Sequence, residues 1–144
     1  MNAASLPALD CLCASFRRAS RALTQQYDGA LRPLGLRATQ FTLLQALSRT
    51  GEVTQGQLGQ ILAMDSTTLT RTLELMSARG WIAKRPGKDR RERRLGLTRP
   101  GRELFERAMP RWEKVQADLR RRLGAERWSQ LLQFTNEVTT TVTE

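Results

Sequence analysis

Residues 80–98 run Gly80-Trp81-Ile82-Ala83-Lys84-Arg85-Pro86-Gly87-Lys88-Asp89-Arg90-Arg91-Glu92-Arg93-Arg94-Leu95-Gly96-Leu97-Thr98. Trp81, Ile82 and Ala83 read as the short apolar entry of a strand. Pro86-Gly87-Lys88-Asp89 is turn chemistry: proline presets one backbone angle and glycine accepts conformations that other residues avoid. Arg93, Leu95 and Leu97 then occupy alternate positions on the way back, as a returning strand requires. The stretch predicts a β-hairpin with an unusual charge. Lys84, Arg85, Lys88, Arg90, Arg91, Arg93 and Arg94 face only Asp89 and Glu92 within it. Cations crowded onto one short hairpin repel one another, and an anionic partner relieves that repulsion. A solvated basic surface is the plainer alternative.

Upstream of the hairpin the pattern is helical. Ser66 to about Arg79 carries Leu69, Leu73 and Met76 as an apolar stripe, with Asp65 as cap and Gly80 just past the end. Before it, Thr54 caps a short helix with Leu58, Ile61 and Leu62 facing inward. Two short helices joined by so tight a turn describe a helix-turn-helix. Further back, Thr39 is the expected cap of a helix bearing Phe41, Leu44 and Leu47, which stops before Gly51. The first helix spans Leu9 to Ala30, with Leu12, Phe16, Ala19, Leu23, Tyr27 and Ala30 three and four apart, and Pro33 and Gly35 end it. Downstream, Thr98 caps a long helix whose inner face is Leu104, Ala108, Trp112, Val115, Leu119 and Leu123. Gly124 breaks it, and a last helix follows with Trp128, Leu131, Thr135, Val138 and Val142 in register. The first and last helices carry apolar stripes that the small central region cannot cover, and a second copy of the chain is the simplest cover.

The 144 residues fit one domain. Lys and Arg number 24 against 14 Asp and Glu, a formal charge of +10, which attracts polyanions such as nucleic acid or an anionic membrane. No apolar run approaches the roughly 20 residues of a membrane span. The opening MNAASLPALD lacks the basic start and apolar stretch of a secretory signal, so a cytoplasmic location is expected. The chain has no histidine, which removes the commonest general base and most zinc sites. No phosphate-cradling loop or dinucleotide fingerprint appears, so neither an enzyme nor a cofactor is expected.

Asp89-x-Arg91, five residues, then Leu97-Thr98-x-x-Gly101 resembles the wing signature of the MarR family, with its spacing intact. Met64-Asp65-Ser66-Thr67-Thr68-Leu69-Thr70-Arg71 is similar to the opening of that family's recognition helix. The resemblance implies a mainly α fold with a small β-hairpin wing: a winged helix-turn-helix flanked by dimerisation helices. On this reading residues 1–35 and 100–144 form the dimerisation helices, and residues 36–99 form the DNA-binding region. It also implies a homodimer on a pseudo-palindromic operator, acting as a repressor that a small aromatic or anionic effector releases.

The expected DNA-facing residues are Gln55, Ser66, Thr67, Thr68, Thr70, Arg71, Lys88, Asp89, Arg90 and Arg91. Small hydroxyl residues at a helix start reach phosphates and bases, although capping alone also explains them. Arg71 can pair in bidentate fashion with guanine. Arg91 is expected in the minor groove with Asp89 holding its guanidinium, while Lys88 and Arg90 meet phosphates. The resemblance places an effector cleft among the first, second and fifth helices. Phe41 and Trp112 would be its aromatic walls, Arg17 or Arg21 the partner of a carboxylate, and Cys13 a neighbour. Cys11 and Cys13 point about 200° apart if both lie on a helix, so they would not pair there. An oxidant sensor, with Arg17 one turn from Cys13 favouring its thiolate, is one alternative. An architectural DNA-binding protein without an effector is the other.

Overall fold

The computed structural model describes residues 6–89 and 91–143. Helix α1 spans Leu12–Leu31 and begins at Cys11, an extended residue whose sulfur accepts the Ala14 N–H at 3.5 Å. It therefore starts later than the apolar spacing predicts. The segment before it folds back along the helix, with Ser15 Oγ donating to the Leu9 carbonyl and Arg18 to the Pro7 carbonyl. A 3₁₀ turn, Arg32–Leu34, follows and closes on Gly35 at φ +68°. Helix α2 spans Ala38–Thr50, and its cap is Arg37, not Thr39, which lies inside the first turn. The free amides are met from elsewhere: Asp28 of α1 accepts the Ala38 N–H at 2.7 Å, and Gln40 accepts the Arg37 N–H at 3.0 Å. A carboxylate reaching in from another helix complements the positive helix end.

Val53–Thr54 forms β1, a strand too short to show any alternation in sequence. Helix α3, Gln55–Leu62, opens on a capping box in which the Thr54 hydroxyl accepts the Gln57 N–H and Gln57 accepts the Thr54 N–H. Leu58 is fully buried, but Ile61 is exposed. The inward position expected for Ile61 is corrected: Leu58 and Leu62 take the inner face, and Ile61 turns toward a groove shared with Leu132 and Thr135. Helix α4, Ser66–Ala78, buries Leu69, Leu73 and Met76 as predicted and ends at Gly80, φ +76°.

The hairpin strands are β2, Ile82–Pro86, and β3, Arg93–Leu97, so Trp81 precedes the strand and Pro86 belongs to it. The three strands form one antiparallel sheet in the order β1-β3-β2, with Val53 opposite Leu95 and Ile82 opposite Leu97. Val53, Ile82 and Leu95 turn inward to a leucine-rich core that includes Leu31, Leu36, Leu43, Leu44, Leu47 and Leu73.

Helix α5, Arg99–Leu123, is capped by Thr98, whose hydroxyl accepts the Gly101 N–H at 3.1 Å. It runs as one element through Pro110 and stops at Gly124, φ +89°. Helix α6 spans Ala125–Thr143. The Tyr27 hydroxyl donates to Gln116, and Arg111 donates to the Ala30 carbonyl at 3.3 Å, which sets α1 antiparallel to α5. Burial pushes the Tyr27 phenol up from its usual pKa. No described residue of α6 is buried, and Leu131, Leu132, Phe134 and Val142 stand exposed, as do Leu12, Phe16 and Leu23 of α1. No helix among the described residues is long and apolar enough to cross a membrane.

Gly101 enters the buried first turn of α5 directly against the Trp81 backbone, where a Cβ would collide with the Trp81 carbonyl. Gly101→Ala is expected to destabilise the fold by about 1–3 kcal/mol, the usual range for overpacking. Gly29, inside α1 with nothing near its Cβ position, is the control. Gly29→Ala should stabilise by about 0.5–1 kcal/mol. Chemical denaturation of the two variants checks both signs.

Candidate nucleic-acid interface

Two elements assemble the candidate surface, and each is shaped by hydrogen bonds that sequence spacing only partly reveals. At the start of α4, the Thr68 N–H donates to Asp65 Oδ2 at 2.9 Å and the Thr68 hydroxyl to Asp65 Oδ1 at 2.7 Å. Thr68 thus spends its hydroxyl on the cap. Gln55, at the first position of α3, donates to the Thr70 hydroxyl at 2.8 Å and ties the two helices of the helix-turn-helix together. Ser66, Thr67 and Arg71 remain exposed, and Arg71 makes no ion pair among the described residues. The exposed first turn of α4 therefore presents hydroxyls, and Arg71 follows within the next turn.

In the hairpin, Asp89 Oδ1 accepts the backbone N–H of Arg91 at 3.3 Å, and the Asp89 carbonyl accepts the Glu92 N–H at 3.0 Å. Asp89 therefore shapes the turn and does not hold the Arg91 guanidinium, a correction to the expected pairing. A two-residue separation favours the nearby amide over a long side chain. Arg90 lies outside the described residues. Lys88 and Arg91 are exposed at the tip.

The hairpin's charge is also less bare than its own sequence suggests. Glu52, which precedes β1, accepts Arg85 Nη1 at 3.0 Å, and its carbonyl accepts Arg94 Nη1 at 3.3 Å. Glu92 takes the other side of Arg94 at 3.5 Å. Lys84, Lys88, Arg91 and Arg93 make no ion pair among the described residues. Sequence reading missed Glu52, because its partners lie more than 30 residues away (Arg85 by 33, Arg94 by 42) and no local pattern links them. It also missed Arg79. That residue closes α4, donates to the Gly35 carbonyl at 3.1 Å and lies over the Trp81 ring at 5.1 Å. An arginine directly before Gly80-Trp81 was the one available hint.

The residues expected to line an effector cleft are not gathered within one subunit. Phe41 is buried, its ring 5.5 Å from Phe105 and 5.8 Å from Trp112 in a stacked contact. It is a core residue, and Trp112 covers it. Ala30 marks the level of Arg111 on α5, beside Trp112. Arg21 and Arg17 lie nine and thirteen residues before Ala30 on α1, about 14 and 20 Å of helix rise away. Both are exposed. A cavity of about 570 Å³ lies instead at the elbow of α5 and α6, among Gln116, Arg120, Arg121 and Trp128. Cys11 and Cys13 are both free and exposed. Cys11 is the cap and not a helical residue, so the opposed geometry expected for two helical cysteines does not apply.

Comparison with known proteins places this geometry. A MarR family model matches residues 34–92. The uncharacterized HTH-type transcriptional regulator YwoH of Bacillus subtilis is 28% identical over 102 residues, 71% of this chain and 74% of that protein. The organic hydroperoxide resistance transcriptional regulator of the same organism is 34% identical over 99 residues, 68% of this chain and 67% of that one. Among solved structures, the M. tuberculosis transcriptional regulator MosR in complex with DNA superposes with a TM-score of 0.85 at 36% identity. That match covers 93% of this chain and 97% of the other.

The hydrogen bonds from Thr68, first from its hydroxyl and then from its amide, hold the Asp65 carboxyl below the usual carboxylate range. A carboxylate with a lowered folded pKa stabilises the fold above its unfolded value, about 3.9, and loses that contribution as pH falls through the folded value. Asp65→Asn keeps an acceptor for the Thr68 amide but loses the charge. The stability gap between native protein and this variant should be constant at neutral pH and close as pH drops below about 4. Denaturation midpoints measured across that range give the comparison, and a gap that widened in acid would contradict it.

Proposed function

The chain belongs to the MarR family of transcription regulators, and from that premise we propose that it is a homodimeric repressor reading a pseudo-palindromic operator. It is a DNA-binding transcriptional regulator and not an enzyme. The observation that carries the reading is the pairing of an exposed α4 first turn with a cationic hairpin on one rigid core. The helix supplies amides and hydroxyls at its positive end, suited to phosphate and base contacts. The hairpin supplies cations for an adjacent groove. That MosR, at 36% identity over nearly its whole length, was solved with DNA supports the assignment. The exposed apolar side chains of α1 and α6 support a dimer, since a lone chain would leave them in water. Residues 1–35 and 100–144 are then the dimerisation helices and residues 36–99 the reading unit, acting in the cytoplasm where the DNA is.

In this reading Arg71 contacts a base edge, with Gln55, Ser66, Thr67, Thr68 and Thr70 bracing or flanking it. Arg91 enters the minor groove, Asp89 sets the turn that presents it, and Lys88 and Arg90 meet phosphates. Release is by a small aromatic or anionic effector. Its site joins Arg17 or Arg21 and Cys13 of one subunit to Trp112 of the other, with Phe41 stacked behind that ring, because within one subunit the α1 residues stand far from those rings. A second reading, release by oxidation, is favoured by the exposure of both thiols and by the hydroperoxide-resistance relative. A hydroperoxide would transfer one oxygen to a cysteine thiolate as its O–O bond breaks, forming a sulfenic acid and leaving an alcohol or water. An architectural protein would show little sequence preference.

Two experiments test these assignments. In a randomised-operator selection, Arg71→Ala should cost about 1–3 kcal/mol per half-site and relax preference at one position. Arg91→Ala should act chiefly on A·T-rich flanks. Lys88→Ala should weaken all sequences alike. If Arg71→Ala keeps full preference while Arg91→Ala abolishes it, the two roles are reversed. For release, a gel shift with benzoate and with cumene hydroperoxide is run on native protein and on Cys11→Ser/Cys13→Ser. Peroxide release lost in the double variant supports oxidation, and benzoate release retained in it supports the effector.

A further inference from the structure

The outer face of the sheet carries one acidic residue placed by backbone geometry among the hairpin's cations. Val53 pairs with Leu95 and Thr54 with Arg94, so Glu52, one residue earlier, lies beside Gly96. Gly96 in turn pairs with Ala83 of β2, and Arg94 with Arg85. Alternation puts Glu52, Gly96, Arg94 and Arg85 on the same face, opposite the buried Val53, Leu95 and Ile82. Gly96 has no side chain, and the Glu52 stem fills the space: a Cβ there would lie 3.3 Å from Glu52 Cγ. The carboxylate is thereby carried across the central strand to Arg85 on the far one, at 3.0 Å. An exposed ion pair is weak by itself, because two long side chains must be ordered to make it. Here half of that ordering is already in place, because the Gly96 trough holds the Glu52 stem and the Glu52 carbonyl is tied to Arg94 at 3.3 Å.

We infer that Glu52 is a positioning residue that withholds Arg85 from DNA, leaving the hairpin's phosphate-facing cations to those that have no acidic partner. Arg94 is restrained in parallel by the Glu52 carbonyl and by Glu92. The arrangement holds down sequence-independent attraction, which grows with every phosphate a cation neutralises, while leaving Lys88 and Arg91 exposed. Glu52 thus tunes specificity without touching a base. The inference rests on the DNA-binding reading above.

The experiment uses full-length protein and mixed-sequence duplex DNA, with log K followed against log salt for native protein, Glu52→Gln, Arg85→Ala and the double variant. Gln keeps the stem over Gly96 and removes the charge. Each new phosphate contact steepens the slope by about 0.9, so Glu52→Gln should steepen it by about 1.8 in a symmetric dimer. Arg85→Ala alone should leave the slope nearly unchanged, and the double variant should return to the native value. Arg85→Ala alone flattening the slope would show that Arg85 already meets phosphate and would overturn the proposal. So would Glu52→Gln weakening binding at unchanged slope, the signature of a purely structural tie. Native protein with no salt-dependent affinity for duplex DNA would instead overturn the DNA-binding reading.

Discussion

The first turn of α5 lies against the backbone of Trp81, and most of the molecule is organised around that approach. The Trp81 carbonyl accepts the Thr98 N–H at 3.1 Å, and the Thr98 hydroxyl donates to the Gly80 carbonyl. Gly101 leaves the room in which this happens. On the other side, the Trp81 N–H returns to Met76 of α4 at 3.0 Å, and Arg79 lies over the indole while holding Gly35. Four elements therefore converge within a few residues: the end of α4, the root of the hairpin, the start of α5 and the turn after α1. Much of that contact is backbone to backbone, so side-chain motion loosens it little. It fixes how the hairpin and α4 stand relative to each other.

A second constraint is electrostatic. A surface meant for a polyanion must carry cations close together, and before binding those cations repel one another. Glu52 and Glu92 ease that repulsion at the Arg85–Arg94 pair, next to the turn, while Lys88 and Arg91 at the tip stay exposed. The short turn made by Asp89 keeps the tip compact without consuming the Arg91 side chain.

What was legible in the sequence was local. Thr54, Asp65 and Thr98 each precede an apolar helical run and cap it through an amide three residues on, a relation that spacing alone exposes. Leu69, Leu73 and Met76 repeat with the helix and are buried. Contacts between distant segments were not legible. Asp28 displaces Thr39 as the provider of a cap for α2 because the turn at Gly35 folds α1 back over it, a tertiary fact. β1 is two residues long and exists by pairing with β3. Phe41 and Trp112 were read as facing a cleft, yet they stack on each other, since aromatic rings at helix crossings serve packing as readily as binding. The candidate DNA-facing set divided along the same line: exposure of Arg71 and Lys88 follows from their positions, whereas the occupation of Thr68 by Asp65 emerges from geometry.

Helix α5 links the two ends of the molecule as one continuous helix. Its 25 residues measure about 37 Å, with the hairpin root at one end and the exposed apolar helices at the other. Such a helix is a lever. A tilt of about 5° pivoting at Leu123 swings Arg99, and the hairpin fixed to it, by about 3 Å. That arc is close to the rise of about 3.4 Å between successive base pairs. A small change of angle where α5 meets α6 would thereby move the hairpin by about the spacing of one base pair.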